Sequence, residues 1–301
     1  MKKKILITGS QGYIAKNIAK KLQNKNIIVH GIGRGEWKKK DYFEWGYKNQ
    51  INGNINLKNL SKFNTKFDYI IHCAGSGTVG LSNNIDFKNN VESTKLLLEY
   101  VKKNQDNVKI IFLSSYSVYG NNYKKPISER TKPNPKSRYA INKKKAEDIC
   151  VKFSKKFNFD LMILRIASLY GNGLRKQLLY DACLKFTKGV NVFYGTGKEK
   201  RDFIHITDLV NIIANFCLKG FSNINIINCG SGKGRKINAV LKLISKNLNK
   251  KIEISFDKKK LNTNPTTLIS NIKKLKKLRI YPKKKFEIGI KEYVNWYKKN
   301  I

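Results

Sequence analysis

The sequence has 301 residues, 41% hydrophobic and 11% aromatic, enough for a packed core and inconsistent with wholesale disorder. That length is about two domains by the usual size prior. Basic residues outnumber acidic ones 62 to 20, a formal net charge of +42. No stretch approaches the roughly 18 consecutive apolar residues of a membrane span. The run Ile5-Leu6-Ile7 after the opening lysines is too short for an export segment, so a cytoplasmic location is expected. Five scattered cysteines without a C-x-x-C pair, and three histidines, argue against a disulfide scaffold or a zinc site.

The charge invites a nucleic-acid reading, because basic side chains release counterions from phosphates. Yet only eight of the 62 basic residues are Arg, the planar bidentate reader. The lysines fall in short dispersed runs such as Lys38–Lys40, Lys258–Lys260 and Lys283–Lys285. A solvated basic surface is the expected meaning, with no nucleic-acid partner.

In chain order, Lys4–Ile7 reads as a buried strand ending at Thr8-Gly9. Ile14, Ile18, Ala19 and Leu22 then recur at helical spacing, with a helix end expected near Asn24. Further short strands are predicted at Ile27–Val29, Tyr69–Ile71, Ile110–Leu113 and Leu161–Leu164, with helices over Val91–Val101 and Tyr139–Phe153. This alternation predicts an α/β fold: a Rossmann-type doubly wound parallel sheet with ligands beyond the strands' carboxyl ends. The dinucleotide domain is expected over 1–170, rejoined by about 203–230. Residues 171–202 and 231–301 are expected to form a smaller C-terminal substrate lobe.

The turn after the first strand is Thr8-Gly9-Ser10-Gln11-Gly12-Tyr13-Ile14-Ala15. Gly9 suits the sharp turn, and Gly12 lets backbone approach a pyrophosphate at the helix N-terminus. Gly9, Gln11, Gly12, Tyr13 and Ile14 are therefore candidate cofactor contacts. The second strand ends at Gly31-Ile32-Gly33-Arg34, where an NAD site usually carries an acid for the ribose 2′-hydroxyl. Arg34 can instead clamp a 2′-phosphate, so NADP(H) is expected over NAD(H).

Tyr139 and Lys143 stand at i and i+4, on one face of a helix. A cation beside a phenol is expected to lower its pKa towards the range useful for proton transfer. Ser115, at the end of the strand Ile110–Leu113, supplies a hydroxyl. Ser115, Tyr139 and Lys143 are the candidate catalytic set.

With these residues in place, the chain resembles the extended short-chain dehydrogenase/reductase family, the NAD-dependent epimerase/dehydratase group acting on nucleotide sugars. Ile5–Ala15 resembles its cofactor turn, Asp68–Gly75 its fourth strand, and Asn90-Val91 its Asn-Val helix. Leu113–Gly120 is similar to its Ser/Thr segment. Arg165 with Leu169-Tyr170-Gly171, Gly195–Gly197 with Arg201–His205, Asn228–Gly232 and the segment Ile269–Pro282 match its later signatures.

The resemblance implies hydride transfer at the sugar C4, with Tyr139 exchanging a proton, Ser115 holding the same oxygen, and Lys143 binding the nicotinamide ribose. It adds Asn54, Ile55, Ala74, Gly75, Asn90 and Ile166 as cofactor contacts. Ser115, Tyr139, Ser168 and Arg201 become substrate contacts, and a homodimer is implied. Three departures bear on the reaction. Tyr116 and Ser117 stand where the family's dehydratases carry Asp-Glu, so the acid/base pair for eliminating water is missing. Gly77 and Ser168 replace the Lys and Asn typical of galactose epimerases. Asn54 replaces the Asp that reaches the adenine. Taken with Arg34, these features point to an NADP(H)-dependent 4-ketoreductase slightly ahead of a 4-epimerase with tightly bound NAD. RNA-binding or cofactor-sensing relatives of the same fold form the alternative class.

Overall fold

Short apolar runs alternating with amphipathic segments produce, in the computed structural model, a seven-stranded parallel sheet flanked by helices. The structure describes residues 2–23, 25–77, 83–121, 123–257 and 266–301. Asn24, the expected helix end, and the Lys258–Lys260 run lie outside the described residues.

The strands are β1 (Lys3–Thr8), β2 (Ile27–Gly33), β3 (Asn49–Asn52), β4 (Tyr69–His72), β5 (Lys109–Ser115), β6 (Leu161–Ile166), β7 (Ser168–Tyr170), β8 (Val192–Tyr194), β9 (Lys200–His205), β10 (Ile224–Cys229), β11 (Gly234–Lys236), β12 (Ser255–Asp257) and β13 (Thr267–Leu268). The helices are α1 (Tyr13–Leu22), α2 (Lys39–Glu44), α3 (Leu57–Ser61), α4 (Asn83–Phe87), α5 (Ser93–Asn104), α6 (Arg138–Phe157), α7 (Gln177–Thr187), α8 (Ile206–Lys219), α9 (Ile237–Asn247), α10 (Lys273–Lys277) and α11 (Phe286–Asn300). A π-helical turn, Lys88–Glu92, joins α4 to α5.

Two compact units divide the chain. The first comprises residues 1–118, 135–165 and 210–227; the second comprises 119–134, 166–209 and 228–301. The large sheet runs in the order β10-β6-β5-β4-β1-β2-β3. Ile5 of β1 registers with Val29 of β2 on one side and Tyr69 of β4 on the other, both parallel. The chain order therefore reverses at β1, and the crevice beyond β1 and β4 is the topological switch point where such sheets bind ligands. One face of the sheet packs Leu6, Ile70, Ile110, Phe112 and Ile163 against Leu97, Leu98 and Val101 of α5 and Ala146 and Cys150 of α6. Each such fully buried aliphatic or aromatic side chain contributes about 1.5–3 kcal/mol, which fixes α6 on the sheet.

Two strands of the large sheet escape the sequence pattern. β3 reads Asn-Gln-Ile-Asn and forms the sheet's edge, where one strand face meets solvent and a polar sequence suffices. β10 forms the other edge, with its buried positions confined to Ile227–Cys229.

In the second unit, β9 pairs antiparallel with β11 and parallel with β7 and β13. Buried Asp202 ties that unit's loops. It accepts hydrogen bonds from the Ser231 backbone at 2.8 Å, the Ser231 hydroxyl at 2.6 Å and the Gly232 and Ser270 backbones. Among the described residues, no helix is long and apolar enough to cross a membrane.

Candidate active site

At the end of β1 the chain turns through Gly9 with φ at +66°, a conformation that favours glycine. Gly12 N donates to Gly9 O at 2.8 Å and closes the turn. A Cβ on Gly9 would lie 2.9 Å from the Ala74 backbone, and one on Gly12 would lie 2.9 Å from Gly9 O. Gly12 is the N-cap of α1 and offers no side-chain cap. The first amides of α1 therefore retain their capacity to bind an anion.

Around this turn opens a cavity of about 540 Å³. Gly9, Gln11, Gly12, Arg34, Asn54, Ile55, Ala74 and Gly75 all line it, eight of the predicted cofactor contacts gathered from three strand ends and the β3–α3 loop. Tyr13, Ile14, Asn90, Lys143 and Ile166 are not among its lining residues. Tyr13 and Ile14 open α1, and Ile166 ends β6. Gly33, Gly35, Cys73, Lys88, Asn89 and Glu92 are lining residues that the sequence reading did not select. Gly33 and Cys73 were within reach of it, as immediate neighbours of Arg34 and Ala74.

Asn90 and Lys143 stand just behind Gly75. A Cβ on Gly75 would lie 2.6 Å from Asn90 Oδ1 and 3.8 Å from Lys143 Nζ. Asn90 Oδ1 is buried and has no hydrogen-bond partner among the described residues. A glycine turn too tight for any Cβ, uncapped helix amides and an orphaned acceptor near the lysine form a donor and acceptor set that fits a dinucleotide. Gly9→Ala should lower dinucleotide affinity about tenfold or more in a binding titration, because it adds both strain and a backbone clash. Wild-type affinity in that variant would remove the turn from the site.

The catalytic candidates come from two elements of the same unit. Ser137 caps α6, its Oγ accepting from Ala140 N at 3.2 Å, which places Tyr139 in the first turn and Lys143 one turn later. Lys143 is buried, and its Nζ lies 4.3 Å from the centre of the Phe112 ring. Burial draws its pKa down to about 8. Tyr139 and Ser115 are hydrogen-bonded. Ser115 Oγ also accepts from Ser117 N at 3.2 Å and from Ser117 Oγ at 2.9 Å. With both lone pairs filled, Ser115 keeps its O–H to donate.

One electrostatic expectation is reversed. Desolvation is the largest influence on Tyr139 and pushes its pKa up, Ser115 pulls it back, and Asp86 raises it further. Lys143 is not among the causes. Desolvation acts oppositely on a phenol and an ammonium, and here it drives the two proton affinities apart, raising that of Tyr139 and lowering that of Lys143.

Ser168 opens β7 and Arg201 lies on β9, both in the second unit. Burial lowers the Arg201 pKa, while Glu199 opposes that shift. Two other titratable groups prove structural. His72 is held neutral by burial, its pKa drawn down to about 3, between Thr8 Oγ1 at 2.7 Å and Thr94 Oγ1 at 3.0 Å. The Cys73 thiol is driven well above its ordinary pKa by burial.

The family model for the NAD dependent epimerase/dehydratase family matches residues 5–230. The chain belongs to that family. A Methanocaldococcus jannaschii protein provisionally named as a UDP-glucose 4-epimerase is 29% identical, covering 98% of this chain and 99% of its own. Arabidopsis thaliana UDP-glucuronate 4-epimerase 4 is 24% identical over 97% of this chain and 75% of its own. The crystal structure of UDP-glucuronic acid 4-epimerase from Bacillus cereus, in complex with UDP-glucuronic acid and NAD, superposes with a TM-score of 0.87 at 25% identity. It covers 99% of this chain and all of that one.

These findings overturn the NADP(H) expectation: the family is NAD dependent, and the B. cereus enzyme holds NAD. The geometry supplies a reason. Arg34 Nη1 is drawn to Asn89 Oδ1 at 3.1 Å. Gln11, anchored through Nε2 to Gly35 O at 2.6 Å, fills the space over Gly33, where a Cβ would lie 1.9 Å from Gln11 Oε1. The end of β2 thus presents a neutral amide acceptor, suited to a ribose hydroxyl.

Proposed function

We propose that this chain is a uridine diphosphate-sugar 4-epimerase that retains NAD and uses Tyr139 as its acid/base. The observation that carries the reading is the hydrogen-bonded Ser115–Tyr139 pair one helical turn from Lys143, whose ammonium lies behind the cavity wall at Gly75. Full-length relatives named as UDP-sugar 4-epimerases support the substrate class. The reductase reading rested chiefly on NADP(H) and loses that support.

When bound, NAD supplies reversible hydride chemistry at the sugar C4. Tyr139 takes the proton from the C4 hydroxyl and later returns it to the new epimer. Ser115, oriented by Ser117, holds the same oxygen. Lys143 orients the ribose and keeps a positive charge beside the cavity. Gln11 accepts from the adenosine ribose, and the α1 amides hold the pyrophosphate. Arg201 and Ser168 serve the nucleotide sugar. With Tyr116 and Ser117 after the catalytic serine, no carboxylate pair stands there to eliminate water.

The test incubates the purified protein, without added nicotinamide, with UDP-glucose, UDP-glucuronic acid or UDP-N-acetylglucosamine. The expected result is a pair of C4 epimers at equilibrium with no net change in nicotinamide absorbance. Stoichiometric consumption of added reduced cofactor, with a 4-keto sugar as the only substrate used, would establish the reductase instead.

A further inference from the structure

Behind the proposed catalytic set lies a buried charge that it does not use. Asp86, near the end of α4, is 4% exposed. Its Oδ1 accepts from Ser76 Oγ at 2.7 Å and Asn90 Nδ2 at 2.9 Å, and its Oδ2 accepts from Asn142 Nδ2 at 2.7 Å. Asn90 Nδ2 also donates to Asp86 O at 3.1 Å. A carboxamide can exchange its oxygen and nitrogen by turning over. Here a turned Asn90 would set its oxygen against two acceptors of Asp86, so Nδ2 is committed inwards. Asn90 Oδ1 must then face the Lys143 side of Gly75, where it is the buried acceptor noted above. Asn142 belongs to α6 and immediately precedes Lys143, so its bond to Asp86 ties the catalytic turn of α6 to α4.

We infer that Asp86 is a positioning residue for the proposed epimerisation, clamping the Asn90 and Asn142 carboxamides so that Asn90 presents an acceptor to the cofactor and α6 holds Tyr139 and Lys143 in place. This rests on the reaction proposed above. The clamp has an electrostatic signature, because the Asp86 charge favours the protonated forms of both Tyr139 and Lys143. The other groups facing them are Ser115 from β5, Glu147 and Cys150 from α6, and His72 and Cys73 at β4. Arg138 and Lys145 of α6 and Lys88 and Glu92 of the π turn line the same cavity as Asn142.

The test compares the purified holoenzyme with Asp86→Asn and with the exchange Asp86→Asn/Asn142→Asp, which moves the carboxylate across the same bond. Asp86→Asn faces two amide donors with one oxygen and should weaken NAD about tenfold in a fluorescence titration. Both limbs of its pH–rate profile should move to lower pH, since removing the negative charge lowers the proton affinity of Tyr139 and Lys143 together. The exchange should recover most of the NAD affinity and the wild-type limbs. Wild-type NAD affinity with unmoved limbs in Asp86→Asn overturns the inference, as does an exchange variant that folds without recovering either. Should Asp86→Asn not fold, Asn142→Ala carries the test. It leaves the charge with one donor fewer, so the limbs must move to higher pH, and unmoved limbs overturn the inference. NAD titration is independent of the reaction catalysed. Loss of affinity in Asp86→Asn from a wild type that epimerises nothing would sink the proposed reaction and leave the clamp standing.

Discussion

Replacing Tyr139 with phenylalanine should cut turnover by about 10²–10⁴-fold while leaving the fold and NAD affinity unchanged. The ring stays in place at the start of α6 and only the hydroxyl is lost. That hydroxyl is the one polar atom of the side chain and the group that Ser115 donates to. Ser115, with Ser117 filling both of its lone pairs, has no site left to accept a proton and so cannot replace Tyr139 as the acid/base. Lys143, drawn to a pKa of about 8 by burial, is a tuned cation that loses charge as pH rises through that value. Activity of the unaltered protein should accordingly fall on the alkaline side of about pH 8. The phenylalanine variant should show the low rate at every pH, because no pH restores the absent acid/base. Steady-state epimerisation of the preferred UDP-sugar, with NAD content measured on the same samples, checks both points. Turnover at the unaltered rate would sink the assignment of Tyr139.

The parts of this molecule that sequence reveals are those whose residue type is forced by local geometry. Gly9 was legible because the turn after β1 needs a positive φ and leaves 2.9 Å for a Cβ. Tyr139 and Lys143 were legible because four residues of helix put them on one face, and Ser115 because it ends an apolar strand. The burial of Ala15, Ile18, Ala19 and Leu22 follows from helical spacing alone. What escaped depends on partners distant in the chain. Arg34 read as a phosphate clamp, but its direction is set by Asn89, 55 residues away. Asp86 stands in no sequence motif, and only the fold brings Asn142 to it, across 56 residues. The sign of the Tyr139 shift was misread for a similar reason: spacing gives the neighbouring cation, whereas desolvation depends on everything packed around the phenol. β3 was missed because an edge strand needs little hydrophobicity.

Breaking the Glu147–Arg165 pair should produce the largest stability change of any single polar substitution. Glu147 lies one turn beyond Lys143 on α6, and Arg165 lies on β6. Their side chains are 2% and 3% exposed. Arg165 Nε donates to Glu147 Oε1 at 3.0 Å and Nη2 donates to Oε2 at 2.7 Å, a bidentate pair, and Ser114 Oγ donates to Oε1 at 2.5 Å. Glu147 thus joins α6 to β5 and β6, the strand ends flanking the catalytic set. Glu147→Leu removes one charge and leaves the guanidinium buried, which should cost about 3–5 kcal/mol in urea unfolding. Replacing both partners with apolar residues, Glu147→Leu with Arg165→Met, should restore most of that stability, since it leaves no uncompensated charge. The double variant should still not recover full activity. Glu147 raises the proton affinity of Lys143, so without it the alkaline limb of the rate profile should sit at lower pH in both variants. A Glu147→Leu protein as stable as the unaltered one would show that the pair is dispensable to the fold. An unmoved alkaline limb in the stable double variant would show that the pair acts on structure alone.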